Sequence, residues 1–534
     1  MSSNLFVALR AAFPGDLNAT AIETADASTR EAAAGGGFAA QHYTWADLDR
    51  GSARIANLLQ DLGLAPGERV AFQVDKSVEA VMLYLAVLRA GGVALPLNIA
   101  YQASEIAYFV ENARPAVMVC AERHFPWVSR LAFQAGTRQV FTLDDDRQGS
   151  LLERAAFHAD THTPVPREAG DLAAIIYTSG TTGRSKGAML SHGNLLANAR
   201  VLHDHWCWRD GRAQGPRAGR DVLIHALPLF HVHGLFVALH GALMAGARQL
   251  WFHRFDADAV IARLREASVF MGVPTLYVRM LGRPGLDAAA CAGMRLFISG
   301  SAPLLTDTFT EWQARTGHTI LERYGMSETA MLTSNPCDPA QGPRVAGTVG
   351  PALPGVQLRL RDEQGRDCQP GEIGGVEVRG PNVFQGYWQM PEKTAEEFTA
   401  DGWFRTGDVG RLDEAGWLTI VGRSKDLIIS GGYNVYPAEI ESRLNDLPGV
   451  AESAVVGVPH PDFGEAVVAL VVARPGRPAP DPAALSAALK ADLAGYKVPK
   501  HLRVVDELPR NAMGKVQKKL LREQLATLFQ PAAG

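Results

Sequence analysis

The chain has 534 residues, more than one hydrophobic core usually supports, so its length predicts several domains. Hydrophobic residues make up 47% and charged residues 20%, which is the composition of an ordinary soluble globular protein. A formal net charge of −4 argues against nucleic acid as the main partner, although a local cationic site could still bind a nucleotide.

The cysteines and the apolar stretches bear on the compartment. The five cysteines are scattered, odd in number and contain no CxxC pair, which predicts a reducing compartment and argues against a disulfide scaffold or a zinc site. Residues 1–14 lack the apolar core of a secretory signal. Residues 81–97 and 235–247 are interrupted by Arg89 and His240, so neither supplies the roughly 20 apolar residues of a membrane span. We expect a cytoplasmic enzyme with no membrane partner.

Strand-like and helix-like segments alternate through much of the chain before Asp408. Residues 70–74 form an apolar run typical of a buried strand, and residues 78–89 follow with a helical pattern. Similar strand-like runs lie at 116–120, 221–227, 269–273 and 295–299. This alternation predicts an α/β fold. Antiparallel-looking segments come later, at 356–360, 375–379 and 417–421.

The character of the sequence changes at residues 408–425, where a short strand lies between two polar turns that contain glycine. A compact unit of about a hundred residues follows, which is a reasonable size for a small domain. Within it, residues 437–445 begin with proline at a favourable first helical position, and residues 514–525 form a basic helical pattern. We therefore predict an N-terminal domain of residues 1–424 and a C-terminal domain of residues 425–534.

Residues 177–187, called here the glycine-hydroxyl loop, follow an apolar run at 172–176. The loop contains three glycines, five Ser or Thr hydroxyls and the cations Arg184 and Lys186. Glycines let a backbone approach a ligand closely, and N–H groups, hydroxyls and cations all bind phosphate oxygens. The loop is thus predicted to bind a nucleoside triphosphate.

The loop does not have the spacing of a Walker motif, which requires Gly-x-x-x-x-Gly-Lys followed by Ser or Thr. Counted from Gly180, Ser185 stands where the second glycine is required. This excludes the common P-loop kinase and ATPase classes. A flexible surface loop is the plainer interpretation, but such a loop seldom carries so many phosphate donors directly after a buried strand.

Residues 322–329 form a second candidate motif, after an apolar segment that ends at Leu321. Tyr324 could stack on a nucleotide base, and Glu328 could hold Mg²⁺, a hard cation that prefers oxygen ligands. Thr329 could donate to a phosphate. A strand-to-helix turn with capping Ser and Glu explains the motif equally well when it is taken alone.

Three later motifs are weak individually. In residues 402–408, Asp408 could accept hydrogen bonds from both hydroxyls of a ribose, although a glycine turn is the plainer interpretation. The glycines within residues 422–434 allow close approach by a ligand, or form an ordinary hairpin turn. In residues 509–515, Lys515 stands beside a glycine, and the default for a lone lysine is a solvated helix end.

Together, in this order and over nearly the whole chain, these motifs resemble those of the adenylate-forming superfamily, which includes acyl-CoA synthetases, firefly-type luciferases and peptide-synthetase adenylation domains. Residues 271–275, 295–304 and 321–326 look like the corresponding segments of malonyl-CoA synthetases. The resemblance implies an α/β fold. Its large N-terminal domain would contain α/β sheets and a β-barrel-like part, and its small C-terminal domain would be α+β and mobile.

The resemblance also implies a two-step reaction. A carboxylate attacks the α-phosphate of ATP to give an acyl-adenylate and pyrophosphate, and the thiol of coenzyme A then displaces AMP. The first step depends on charge neutralisation, here with Mg²⁺, and on in-line positioning. Malonate is the expected acid, with methylmalonate as a further candidate. Alternatives are another small or medium-chain acid, transfer to a carrier-protein thiol, and a nucleotide-binding protein without catalysis. The partners would be the small molecules malonate, ATP and coenzyme A. The protein would be a monomer or a homodimer.

The resemblance assigns roles to individual residues. Those implied to be catalytic are Lys515, Thr178, Glu328 and His231, and those implied to hold the metal are Glu328 and Thr178. The phosphate-binding group is Thr178, Ser179, Gly180, Thr181, Thr182, Gly183 and Lys186. The rest of the ATP site is Gly300, Ser301, Ala302, Glu322, Arg323, Tyr324, Gly325, Met326, Ser327, Thr329, Asp408, Arg423 and Lys515. Within this set, Tyr324 would stack on adenine, and Asp408 with Arg423 would hold the ribose.

In this superfamily the small domain rotates between the two half-reactions. The implied hinge is Lys425, where many relatives carry Asp. After rotation Lys515 would leave the site, and a second group would face the pantetheine of coenzyme A. That group is Ser430, Gly431, Gly432 and Tyr433.

A dicarboxylate requires a cation for the carboxylate that does not react, because a buried unpaired charge costs several kcal/mol. Arg295 is the first candidate: it begins a strand that leads to the adenine-binding turn, and a guanidinium binds carboxylate with two parallel hydrogen bonds. The alternative for Arg295 is a salt bridge at the strand edge. His231 and His233 are the next candidates, and a satisfied core histidine remains open for His233. The other acid-lining candidates are Met271, Ser299, Gly300 and Met326.

Overall fold

The computed structural model of the protein describes residues 3–27, 39–178, 185–211, 219–431, 433–511 and 514–530. Within these ranges the named strands form four sheets. Three sheets are built before residue 424 and one after it, and the last has its own buried core around Ile440, Val455 and Val471. The predicted α/β fold, with a large first part and a smaller second part, is confirmed.

The six-stranded sheet carries the start of the glycine-hydroxyl loop. In spatial order its strands are Gln139–Thr142, Val117–Cys120, Arg69–Gln73, Val93–Pro96, Leu172–Thr178 and Lys186–Ser191. Neighbours are parallel except the last two, which are antiparallel and flank residues 179–184. All residues of Val93–Pro96 and Val117–Cys120 are buried, as apolar runs are in parallel strands covered on both faces.

The eight-stranded sheet brings most of the remaining candidate residues to one edge. Its order is Ala330–Ser334, Ile320–Met326, Leu296–Ser299, Val269–Gly272, Val222–His225, Arg248–Trp251, Thr20–Thr24 and His42–Thr44. The six central strands are parallel, and each end strand is antiparallel to its neighbour. The carboxyl ends of the parallel strands therefore meet, which is where open α/β sheets bind ligands.

Two antiparallel sheets complete the fold. The four-stranded sheet contains Gln357–Arg361, Ile373–Arg379, Phe404–Leu412 and Leu418–Arg423 in sequence order. The carboxy-terminal sheet has the order Tyr433–Val435, Ile428–Ser430, Gly464–Ala473 and Val450–His460, and His501–Val505 joins Gly464–Ala473 in parallel. The long strand pair Val450–His460 and Gly464–Ala473 alternates over two buried clusters, which gives the small domain a core on each face.

The α-helices of the described chain begin with local capping signals in several cases. They are Leu5–Ala11, Trp45–Asp61, Val78–Arg89, Ala103–Ala113, Phe125–Gln134, Ser150–Ala155, His192–His205, His240–Ala245, Ala257–Arg263, Pro274–Leu281, Thr306–Thr316, Pro391–Glu397, Pro437–Asn445, Pro482–Asp492 and Lys518–Leu525. Short 3₁₀ turns are Glu122–His124, Leu264–Glu266, Pro339–Gln341 and Ser424–Asp426. Thr44 with Asp47, and Ser191 with Asn194, form capping boxes that satisfy the first backbone N–H groups. In the described chain no helix is long and apolar enough to span a membrane.

Several predicted elements are confirmed, and one expected alternative is wrong. The helices at 78–89 and 437–445 are found with those bounds. Residues 322–329, by contrast, do not turn into a helix: Ile320–Met326 pairs antiparallel with Ala330–Ser334. Gly325 permits this tight return, because a Cβ there would lie 1.9 Å from the carbonyl oxygen of Ala330.

Arg295, the first candidate for the distal carboxylate of the substrate, is engaged elsewhere, so that prediction is wrong. Its Nε donates to Asp221 Oδ1 at 2.8 Å and its Nη2 to Oδ2 at 2.5 Å, and its Nη1 donates to the Trp206 carbonyl oxygen at 3.2 Å. Arg295 precedes the strand Leu296–Ser299, whereas the candidate site lies beyond the other end of that strand. Four residues of strand span roughly 13 Å, so the Arg295 guanidinium lies at the opposite end of the strand from the candidate site. There it stabilises the sheet edge.

Replacing Arg295 should therefore reduce stability. Arg295→Ala leaves the fully buried Asp221 carboxylate without its cation, and we expect the free energy of unfolding to fall by about 3–5 kcal/mol. Urea denaturation measures this. Arg366→Ala, which removes an exposed pair with Asp362, is the matched control and should leave the free energy of unfolding nearly unchanged. An unchanged unfolding free energy for Arg295→Ala would contradict the structural role.

Candidate active site

Lys515 faces the candidate nucleotide residues from the second part of the chain. Its hairpin is closed by hydrogen bonds from Lys515 N to Asn511 Oδ1 at 3.0 Å and from Asn511 N to the Lys515 carbonyl oxygen at 3.0 Å. Gly514 has a φ of 73° and approaches Thr275, where a Cβ would lie 3.2 Å from Oγ1. Glycine suits this position because the backbone is left-handed and the facing residue is close.

The charge on Lys515 is costly in this setting. Burial, followed by the nearby cation Arg423, lowers the pKa of Lys515 to about 8, while Asp408 and Glu328 act in the opposite direction. Arg323 also lowers it. The lysine thus has two carboxylates and two guanidinium groups as its charged neighbours. An added anion between these cations would favour the charged amine.

Two further contacts hold the small domain in this arrangement. Asn434 Nδ2 donates to Glu363 Oε1 at 2.5 Å, and Arg474 Nη2 lies 2.8 Å from Asp307 Oδ2. The predicted hinge residue Lys425 lies in the 3₁₀ turn Ser424–Asp426 between the two parts. The surface loops of the small domain therefore meet the large domain with Lys515 directed inward.

Asp408 lies at the centre of a hydrogen-bonded group suited to hydroxyl recognition. Tyr324 donates its phenol to Asp408 Oδ2 at 2.5 Å, and Arg423 Nε lies 3.0 Å from Oδ1. Asp408 and Arg423 are direct partners across neighbouring strands of the four-stranded sheet. The carboxylate is 4% exposed, so it is fixed before any ligand arrives. Burial and the Asp408 charge raise the pKa of Tyr324, which keeps the phenol a donor.

Lys186 and Glu328 lie on two sides of Tyr387. The Tyr387 hydroxyl donates to Glu328 Oε1 at 3.1 Å, and Lys186 Nζ lies 4.2 Å from the centroid of the same ring. Lys186 is also 3.3 Å from Glu397 Oε1. Thr178 Oγ1 donates to the Lys186 carbonyl oxygen at 3.4 Å, so the two ends of the glycine-hydroxyl loop are adjacent. Ser179, Gly180, Thr181, Thr182, Gly183 and Arg184 lie outside the described residues, as does Gly432.

The residues near Lys186, in particular Glu328, are suited to a metal cation that binds together with the phosphates of the nucleotide. No group of three or more His, Cys, Asp or Glu suited to a metal occurs in the described part of the chain. Mg²⁺ is commonly bound by one or two carboxylates together with substrate phosphates. Glu328 is a buried carboxylate whose pKa is raised by burial, so a cation would stabilise its charged form.

Several buried polar atoms of Arg323 and its neighbours have no hydrogen-bond partner among the described residues. They are Arg323 Nε and Nη2, His233 Nε2, Ser299 Oγ and Glu322 Oε2. Arg323 is 2% exposed, and its guanidinium packs against Gly300, where a Cβ would lie 2.5 Å from Cζ. Burial lowers the pKa of Arg323 to about 9, so it remains cationic at neutral pH. Unsatisfied buried groups are rare in native proteins and indicate a bound ligand or water.

Two histidines lie beside Arg323. His233 Nδ1 is 3.4 Å from Ser301 Oγ, and the His233 backbone N–H donates to His231 Nδ1 at 3.3 Å. Burial, Lys515 and Arg323 lower the pKa of His231 to about 3, so both histidines are neutral donors or acceptors. His233 begins a π-helix, His233–Leu239, a rare form that is often found at functional sites. Gly234 allows its close packing, since a Cβ there would lie 2.0 Å from the Pro228 carbonyl oxygen.

The other predicted residues are distributed around this cluster. Ser301 has a φ of 72°, which is unusual for a residue with a side chain and marks a strained turn. Met271 and Met326 lie in the last two residues of their strands, at the same sheet edge as Ser299. The group predicted for coenzyme A differs from these buried residues, because its Tyr433 faces solvent. Tyr433 is 58% exposed and stacks on Tyr496, with the ring centroids 4.5 Å apart.

Sequence reasoning missed Tyr387 and Glu397. Nothing in the chain pointed to Tyr387, because its position depends on the pairing of its backbone with residues near Lys186, about 200 positions earlier. Arg323, which was assigned to the nucleotide, is also a candidate for binding the acid because it is buried beside Gly300. The signal in the sequence is a cation two residues after the apolar pair Ile320 and Leu321.

Comparison with known proteins gives a consistent result. The family model "AMP-binding enzyme" matches residues 22–388, and "AMP-binding enzyme C-terminal domain" matches residues 439–515. A malonate–CoA ligase of Arabidopsis thaliana is 36% identical, covering 87% of this chain and 79% of the relative. The mitochondrial malonate–CoA ligase ACSF3 of Mus musculus is 35% identical, with 91% and 87% covered. A feruloyl-CoA synthase of Amycolatopsis is 36% identical, with 90% and 94% covered.

Solved structures agree with this result. ATP-bound MatB from Rhodopseudomonas palustris is 50% identical, covers 99% of this chain and all of its own, and superposes with a TM-score of 0.91. Apo MatB has the same identity and coverage but a TM-score of 0.82. The structure of this chain is thus more similar overall to the ATP-bound form than to the apo form. The chain belongs to the AMP-binding enzyme family, and its predicted resemblance to the adenylate-forming superfamily is confirmed.

Proposed function

We propose that the protein is an ATP-dependent ligase that joins malonate to coenzyme A through a malonyl-adenylate, releasing pyrophosphate and then AMP. The observation that carries the choice of acid is the buried guanidinium of Arg323, whose Nε and Nη2 lack a partner among the described residues. The malonate–CoA ligases among the relatives support the same acid. Methylmalonate, with one added methyl group, is a further candidate.

Arg323 suits the carboxylate of malonate that does not react. A guanidinium can give that carboxylate two charge-assisted hydrogen bonds, and His233 Nε2 and Ser299 Oγ supply further polar atoms. An apolar acyl chain would leave the buried cation and these atoms unpaired, which costs several kcal/mol. A fatty acid or a ferulate side chain is therefore disfavoured, because neither offers a second carboxylate to Arg323.

Several residues of the chain have separate roles in the first step, the formation of the adenylate. Asp408 with Arg423 holds the ribose, and Tyr324 stacks on adenine. Thr178 and Lys186 contact the phosphates, and Lys515 lies between the reacting carboxylate and the α-phosphate. Mg²⁺, held by Glu328 with Thr178, would neutralise charge on the phosphates. His231 remains neutral, so it can donate a hydrogen bond to the reacting carboxylate without forming an ion pair with it. Catalysis then consists of positioning and electrostatic stabilisation.

The second step requires a different arrangement of the small domain. In this proposal the domains are residues 1–424 and 425–534, and rotation at Lys425 withdraws Lys515. Ser430, Gly431, Gly432 and Tyr433 then line the path of the coenzyme A thiol. The ring of Tyr433 supports this, since it stays largely exposed to solvent while it stacks on Tyr496. We further propose a cytoplasmic monomer or homodimer; free cysteines support a reducing compartment.

A panel of acids tests the proposal. Purified protein with ATP and coenzyme A should release pyrophosphate and form thioester with malonate far faster than with butyrate, octanoate or ferulate. Arg323→Met should lower kcat/KM for malonate by about 10²-fold, the value of a lost hydrogen-bonded charge pair. It should raise kcat/KM for butyrate, because no unpaired cation then faces the apolar chain. Arg323→Lys keeps the charge and should recover part of the loss. Equal loss for malonate and butyrate would assign Arg323 to ATP, and faster turnover of octanoate would contradict malonate.

The pH dependence of adenylation should follow Lys515. Because its pKa is about 8 in the free protein, the amine is charged below pH 8 and loses its proton as pH rises through that value. We expect kcat/KM for ATP, measured by malonate-dependent pyrophosphate release, to decline above pH 8. Lys515→Arg stays charged and should lack this decline at its lower rate. A decline of the same shape in Lys515→Arg, or none in the wild type up to pH 9.5, would contradict the assignment.

A further inference from the structure

Tyr387 contacts two oppositely charged side chains of the candidate nucleotide site at once. Its hydroxyl donates to Glu328 Oε1 at 3.1 Å, and its ring lies 4.2 Å from Lys186 Nζ. The side chain is 3% exposed, so it has little freedom to move. A phenol that donates at its tip and attracts a cation to its face can hold both groups without joining them.

The backbone around Tyr387 is fixed to the same two elements. Trp388 N donates to the Gly187 carbonyl oxygen at 2.8 Å, and Met189 N donates to the Gly386 carbonyl oxygen at 3.0 Å. At the other end of this segment, Phe384 N donates to the Glu328 carbonyl oxygen at 2.8 Å. Residues 384–388 therefore connect the strand of Lys186 with the turn of Glu328.

The side chain of Tyr387 contacts two groups of opposite charge, Lys186 and Glu328. Lys186 and Glu328 attract each other, because Lys186 is among the charges that lower the pKa of the Glu328 carboxyl. A Lys186–Glu328 pair would neutralise both side chains and remove them from their ligands. On its other side, Lys186 is 3.3 Å from Glu397 Oε1, which draws the ammonium away from Glu328.

We propose that Tyr387 is a positioning residue that keeps Lys186 and Glu328 apart and oriented, so that Lys186 meets the terminal phosphates of ATP and Glu328 meets the accompanying divalent cation. This rests on the proposed function as far as ATP is concerned, and it does not depend on which acid is used. The hydroxyl orients Glu328 through a hydrogen bond, and the ring orients Lys186 through a cation–π contact. The two roles can be separated by substitution.

Nucleotide binding by the intact protein tests the proposal, with ATP titrated calorimetrically in EDTA and again with excess Mg²⁺. Tyr387→Phe keeps the ring and loses the hydroxyl, so its Kd in EDTA should match the wild type within about twofold. The tightening produced by Mg²⁺ should shrink by about tenfold, the value of one hydrogen bond to a charged group. Tyr387→Leu also loses the ring, so its Kd in EDTA should rise by about fivefold, the value of a partly buried cation–π contact.

Tyr43→Phe is the matched control, because the Tyr43 hydroxyl donates to Glu79 Oε1 at 2.7 Å, a similar pair outside the site. It should change neither Kd, and thermal melting should show all variants folded. An undiminished Mg²⁺ effect in Tyr387→Phe overturns the proposal, as does an equal reduction in Tyr43→Phe. If Tyr387→Leu fails to fold, Tyr387→Phe alone decides. Wild-type protein that does not bind ATP would instead contradict the proposed function.

Discussion

The buried positive charge of Arg323 is the constraint on which the proposed acid-binding site depends. Its guanidinium lacks partners at Nε and Nη2 among the described residues, so the folded protein bears a desolvation cost that an anion would relieve. The surrounding sequence accommodates this cation. Gly300 has no side chain to displace it, and the neutral His231 and His233 add no competing charge. Under the proposed function, the cation that binds the second carboxylate is thus in place before malonate arrives.

Topology explains why this cation lies near the nucleotide residues. Parallel strands of the eight-stranded sheet end together, which gathers Met271, Ser299 and the turn after Met326 at one edge. The four-stranded sheet adds Asp408 and Arg423 as cross-strand partners. Lys515 comes from the small domain, so it neighbours Asp408 and Arg423 only when that domain is placed as it is here. A cleft assembled from two domains can exchange one set of groups for another, which suits a reaction in two steps.

Much of this could be predicted from the sequence. The α/β alternation is visible because buried parallel strands are continuous apolar runs, and the motifs of residues 322–329, 402–408 and 509–515 are local in the chain. Arg295 was misassigned because a sequence shows which strand a residue joins, and not which acidic neighbour, here Asp221, lies beside it in the sheet. Tyr387 could not be found for a similar reason: its contacts with Lys186 and Glu328 arise from pairing between distant segments.

The central claim is that a second carboxylate is recognised by a buried cation. The most direct measurement compares two non-reactive adenylate analogues, malonyl-sulfamoyl adenosine and its terminal carboxamide, which differ only in that charge. The account predicts that the carboxylate analogue binds about 10²-fold more tightly, as expected for a charge-assisted pair in a desolvated pocket. Equal affinities, or tighter binding of the carboxamide, would contradict it.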